Sequence, residues 1–243
     1  MRSDPLLQCG HLAVDRAAVT DIVVEARDLH RSYQVGKDRK IDVLRGLSLE
    51  IKIGEQVFLT GPSGAGKTTL MYTLAGLERP EKGAVFIQDH EIYAMGRRPL
   101  AALRNSQIGY IFQNYHLLPE LTAVENANLP GLISGKDRTE RAKAALEKVG
   151  LSHRLNHLPG ELSGGEQQRV AIARAIVNEP AIIFADEPTG NLDSKNGEEI
   201  IQLLFGLAEE QNSTLIVVTH DQELAKRGQR TLVVKDGIIV SDT

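Results

Sequence analysis

Eight consecutive residues, Gly61-Pro62-Ser63-Gly64-Ala65-Gly66-Lys67-Thr68, have the spacing GxxxxGK[ST]. Glycines at these positions let backbone amides turn inward around phosphate oxygens. An ammonium at Lys67 reaches β- and γ-phosphates, and the Thr68 hydroxyl can ligate Mg²⁺. The motif requires a strand before it and a helix after it. Gln56 to Thr60 reads as a short apolar strand, and the chain from Lys67 to about Gly76, closed by Pro80, reads as a helix.

A second group is the carboxylate pair Asp186-Glu187, which ends the apolar run Ile182-Ile183-Phe184-Ala185. Ligands of open parallel sheets sit at the carboxyl ends of strands. Strand alternation sends the two side chains to different faces, so Asp186 is expected to hold Mg²⁺ while Glu187 polarises an attacking water. Alone, an acidic pair here would more often cap a helix, and Pro188-Thr189 suits such a turn; the phosphate loop upstream favours the chemical role.

The third group is Leu162-Ser163-Gly164-Gly165-Glu166-Gln167-Gln168-Arg169. Ser163 and two glycines at a helix start present amides to an anion, which makes a second phosphate site on one chain. Ser163 and Glu166 also have capping-box spacing, and the two readings are compatible.

Several elements must position these groups. Ile22 to Ala26 leads to Tyr33 and, past the charged tip Gly36 to Lys40, to alternating Leu47, Leu49 and Ile51, a small antiparallel sheet. Val85-Phe86-Ile87 reads as a strand at a sheet edge. Thr122 with Glu125 forms a capping box, and Ala142, Ala145, Leu146 and Val149 recur at helical spacing before Gly150, so a helical insertion is expected between Leu121 and Gly150. Val170 to Val177 reads as a helix. Ile182 to Ala185 and Leu215 to Thr219 are continuous apolar strands, the pattern of a parallel sheet buried on both faces. Leu232 to Val240 reads as a hairpin turning at Asp236-Gly237.

The 243 residues are 42% hydrophobic and 25% charged with net charge -4, an ordinary globular composition without the basic field that would attract nucleic acid. Cys9 is the single cysteine and cannot form an internal disulfide. No run approaches the roughly 18 to 20 apolar residues of a membrane-spanning helix, so a membrane process would need another chain to cross. Leu6-Leu7-Gln8-Cys9 only superficially suggests a lipoprotein signal, since no long apolar core precedes it. Residues 1–21 are read as a mobile leader and 22–243 as one ATP-binding domain, with a helical subdomain over roughly 114–165.

The run Leu162 to Arg169, together with the other two motifs, resembles the signature of ABC transporter ATP-binding subunits from about Ile22 to Val240. The resemblance implies an α/β P-loop NTPase (RecA-like) core with a mainly parallel sheet, an N-terminal antiparallel β subdomain and an α-helical subdomain. It implies an ATPase with ATP and Mg²⁺ as cofactors, working as a homodimer in which Leu162, Ser163, Gly164, Gly165 and Glu166 of one copy close on ATP held by the other. By the same resemblance Thr69 joins the phosphate loop in binding ATP. Tyr33 is similar to the aromatic that stacks on adenine, and Gln113 to the glutamine that touches Mg²⁺ and the attacking water. His220 matches the switch histidine at the γ-phosphate, and Asn191-Leu192-Asp193 the loop that reaches across the dimer.

Tyr110 to Pro119 and Leu121 to Asn126 look most like the LolD type within the group containing LolD, MacB and FtsE. That likeness implies two integral membrane permease subunits (LolC/LolE-like), lipoprotein release, and a peripheral position on the cytoplasmic face of the bacterial inner membrane. Other MacB- or FtsE-type systems, in efflux or cell division, are the alternative, and MacB types carry a membrane domain on the same chain. Tyr115-His116-Leu117-Leu118-Pro119 is the candidate permease contact, with Leu117 and Leu118 equally readable as core. A soluble ABC ATPase would share every catalytic motif, although repair types carry a long coiled coil and ribosomal types two cassettes. No Asn-Lys-x-Asp base reader for GTP is present.

Overall fold

The computed structural model describes residues 21–36 and 39–243. Apart from Asp21, the expected leader lies outside the described residues, as do Lys37 and Asp38 of the charged tip. Strands β1 (Ile22–Val35) and β2 (Arg39–Lys52) pair antiparallel, burying Val24, Leu29, Leu44, Leu47 and Ile51. The buried β3 (Gln56–Thr60) runs into α1 (Lys67–Leu74). Strand β4 (Lys82–Ile87) pairs with β1, and the two-residue β5 (His90–Glu91) pairs outside it, so the order is β2-β1-β4-β5. The expectation that Val85 to Ile87 forms the edge is therefore corrected. Gln88 and Asp89 both take positive φ, 47° and 65°, and fold the chain back as a two-residue hairpin turn does.

Next come α2 (Arg97–Gln107), β6 (Ile108–Ile111), α3 (Ala123–Ile133) and α4 (Thr139–Lys148). Helix α3 carries the Thr122/Glu125 capping box in full. Helix α5 (Gly164–Ile176) starts at Gly164 rather than Val170, because Ser163 caps it and Glu166 returns the bond. The chain completes with β7 (Ile182–Asp186), α6 (Ser194–Gln211), β8 (Thr214–Val218), α7 (Gln222–Ala225), β9 (Arg230–Lys235) and β10 (Ile238–Asp242).

The central sheet has order β10-β9-β3-β8-β7-β6, parallel except for the terminal hairpin. Its two faces are buried in different layers. Ile182 and Phe184 pack with α1 and the antiparallel sheet, while Ile183 and Ala185 pack with residues of α3 to α6. That is why β7 is apolar at successive positions instead of alternating. The molecule is an α/β P-loop NTPase core flanked by an antiparallel β layer on one side and helices on the other.

Candidate functional site

An open cavity of about 480 Å³ lies where β3, β7 and β8 end. Ser63 to Thr69 line it, with Gln113, Glu187, Val218 and His220. Gly61 has φ 139°, and a Cβ there would stand 2.0 Å from the Val234 carbonyl oxygen of β9, so the loop can press onto the sheet only as glycine. Lys67 is buried, and its Nζ donates to the carbonyls of Gly61 at 2.9 Å and Pro62 at 3.0 Å. Helix α1 has no side-chain cap at Gly66, which leaves its first amides for an outside acceptor. Val43 also lines the cavity, and its carbonyl oxygen lies 2.8 Å from where a Gly66 Cβ would be. Sequence reasoning missed it; an isolated valine on a distant strand gives no motif.

Asp186 ends β7, buried, with Thr68 Oγ1 donating to its Oδ1 over a long 3.4 Å. Burial first, then the neighbouring Glu187 charge, pushes its carboxyl up to about 6 against the opposing pull of Thr68 and Lys67. Strand alternation stops here. Glu187 has φ 47°, its amide donates to the Val218 carbonyl at 3.0 Å, and it lines the cavity. The expected separation of the two carboxylates by strand pleat is thus corrected: a backbone turn aims Glu187. His220 Nδ1 lies 2.7 Å from Glu187 Oε2.

The candidates divide into two sets. Lys67, Thr68, Thr69, Gln113, Glu187 and His220 share one cavity. None of Leu162 to Glu166 lines it; Ser163 and Gly164 are exposed elsewhere on the surface. A Cβ on Gly164 would meet Tyr115 Oη at 3.2 Å and Leu192 Cδ2 at 3.8 Å, so the start of α5 abuts the segments after Gln113 and Glu187. The Asn191 side-chain amide donates to the Gln113 carbonyl at 2.8 Å, and Asp193 caps α6 by accepting from the Asn196 amide. Tyr33 stands beside the cavity, its hydroxyl 3.3 Å from Thr69 Oγ1 and bonded to Glu78.

Tyr115 and His116 both take positive φ, 58° and 48°, costly for residues with side chains. Arg174 of α5 holds both carbonyls, at 2.6 Å and 2.5 Å. Burial lowers this guanidinium to about 10, still charged at neutral pH. Leu117 packs against the helical core, whereas Leu118 is exposed.

Comparison with known proteins agrees with this geometry. Residues 44–190 match the family model described as ABC transporter. The lipoprotein-releasing system ATP-binding protein LolD of Cytophaga hutchinsonii is 48% identical over 221 residues, covering 90% of this chain and 99% of that one. The macrolide export ATP-binding/permease protein MacB of Bdellovibrio bacteriovorus is 47% identical over 90% of this chain, which spans 34% of MacB. A solved dimeric ATP-binding cassette in a post-hydrolysis state, bound to ADP and Pi, superposes with a TM-score of 0.83 at 41% identity, covering 90% of this chain and 97% of that one. The phosphate loop, the acidic strand end and these matches over most of its length show that the chain belongs to the ABC transporter family, as an ATPase of the LolD and MacB group.

Proposed function

We propose that residues 22–243 form the ATP-binding domain of a lipoprotein-releasing transporter, with a helical subdomain over roughly 114–165. The observation that carries the chemistry is the convergence of Lys67, Thr68, Gln113, Glu187 and His220 on one cavity. Gly61 to Thr69 cradle the phosphates through amides, Lys67 and the start of α1. Glu187, held by His220, orients and polarises water for in-line attack at the γ-phosphorus, and Tyr33 contacts the base.

The residues suit Mg²⁺. Among the described residues no group of three or more His, Cys, Asp or Glu forms a metal cluster, and the oxygen donors Thr68 and Asp186 sit together. One carboxylate plus substrate oxygens is the way Mg²⁺ is usually held. Thr68, Asp186 and Gln113 would hold it, and it would offset charge on the phosphates.

The separation of the Ser163 helix start from the Lys67 cavity supports a homodimer in which each supplies the other, with Asn191 to Asp193 at the seam. No helix among the described residues is long and apolar enough to cross a membrane. In this reading, which identity to LolD supports, the motor acts through two permease subunits, LolC/LolE-like, from the cytoplasmic face of the inner membrane. Exposed Leu118, Leu132 and Ile133 offer them an apolar surface. Identity to MacB supports efflux as the second reading.

Affinity purification of the Glu187→Gln subunit with ATP from gently solubilised membranes, followed by mass spectrometry, tests the assignment. A LolC/LolE-like pair is expected. Recovery of a different permease, an FtsX-like partner or ribosomes would keep the ATPase and overturn the task.

A further inference from the structure

Tyr33 does not stand alone beside the phosphate loop. Its hydroxyl donates to both carboxylate oxygens of Glu78, at 2.7 and 2.6 Å. Arg31, two residues earlier on the same face of β1, donates to Glu78 Oε1 through Nε at 2.8 Å, with Nη2 at 2.6 Å, and its Cζ lies over the Tyr33 ring 5.0 Å from the centroid. Glu78 is itself fixed. Its side chain is largely buried, and its backbone carbonyl accepts from the Tyr93 hydroxyl, which also bonds the Thr73 carbonyl of α1 at 2.7 Å. Thr69, which lines the Lys67 cavity, is 3.3 Å from Tyr33 Oη.

We propose that Glu78 is a positioning residue for the nucleobase: by holding the Tyr33 hydroxyl, it sets the ring at the rim of the phosphate cavity with one face against Arg31. This rests on Tyr33 as the base contact and adds the residue that aims it. A charged acceptor anchored through its own backbone fixes the ring before ligand arrives, so the ordering cost is not met at binding. Glu78 bonds to neither the phosphate loop carbonyls nor Lys67, and it reaches the cavity wall only through the long Tyr33–Thr69 contact, so its influence is expected chiefly at the base end of the ligand.

The test compares ATP with inorganic tripolyphosphate, each with Mg²⁺, by calorimetry on the full chain. Glu78→Ala is expected to weaken ATP about tenfold, the scale of a lost hydrogen bond to a charged group, and to leave tripolyphosphate unchanged. Tyr33→Phe should weaken ATP similarly, the double variant should be no worse than either single one, and Glu78→Gln should recover part of the loss because its amide oxygen still accepts. Tyr33→Ala separates the two ideas. If it weakens ATP while Glu78→Ala and Tyr33→Phe do not, Glu78 has no positioning role and Tyr33 keeps its own. If Tyr33→Ala leaves ATP binding intact, the base contact itself is wrong and the proposal falls with it. Equal weakening of ATP and tripolyphosphate by Glu78→Ala would mark a general structural defect and overturn the proposal, and Tyr33→Phe probes the same bond should Glu78→Ala not fold.

Discussion

His220 Nδ1 lies 2.7 Å from Glu187 Oε2, although the two residues leave the sheet from different strands, β8 and β7. The bond fixes a carboxylate whose backbone, at φ 47°, has already departed from the strand. Glu187→Gln keeps that shape but removes the charge that polarises water. Turnover should fall about 10² to 10⁴-fold with ATP binding retained, and an ATP-bound dimer should accumulate on size exclusion. Hydrolysis at the wild-type rate would refute the role of Glu187.

Lys67 is buried with its ammonium on two loop carbonyls, so it is preplaced for phosphate oxygens. Lys67→Ala should weaken ATP at least tenfold, or ~1.4 kcal/mol, in calorimetry. Unchanged affinity would remove the phosphate-cradle assignment.

Asp186 makes a prediction about stability rather than turnover. Its carboxyl is raised from 3.8 to about 6, mainly by burial, so the fold favours the neutral form. The associated stability is fully present below 3.8 and is lost as pH rises through 6, on the order of 3 kcal/mol. Without nucleotide or Mg²⁺, Asp186→Asn should therefore unfold at higher temperature than wild type at pH 8, with the advantage gone near pH 4. An equal difference at both pH values would contradict the buried-charge account.

The two anion sites can be tested for sharing across copies. Ser163→Arg should bind ATP yet not turn over, and Lys67→Ala should be inactive for lack of nucleotide. Mixed, they form heterodimers in which one composite site is intact, so activity should return. A silent mixture, with heterodimers verified by tag capture, would argue against a site built from both copies.

What the sequence disclosed and what it hid follow from range. The phosphate loop, both capping boxes and the Asp236-Gly237 hairpin are local, each decided within a few residues, and each appears in the structure where its spacing places it. Helix α2 escaped because its apolar stripe is short: Leu100 and Leu103 pack half-buried against the core, and most of its other residues are polar. Strand β6 is four residues long with Gly109 inside, a glycine set by the Ala175 carbonyl, 2.5 Å from where its Cβ would be. Val43 and Glu78 reach the site only through packing: Glu78 meets Tyr33 across 45 positions of sequence. Glu187 was legible as a residue but not in its direction, since a positive φ carries no mark in the chain.

The bond from the Asn191 amide to the Gln113 carbonyl has a mechanical meaning. It staples the loop after β6 to the loop after β7, beyond the point where the pairing of these neighbouring strands ends. In the homodimer proposed above, this tether would join the loop that lines a molecule's own cavity through Gln113 to the loop assigned to the seam.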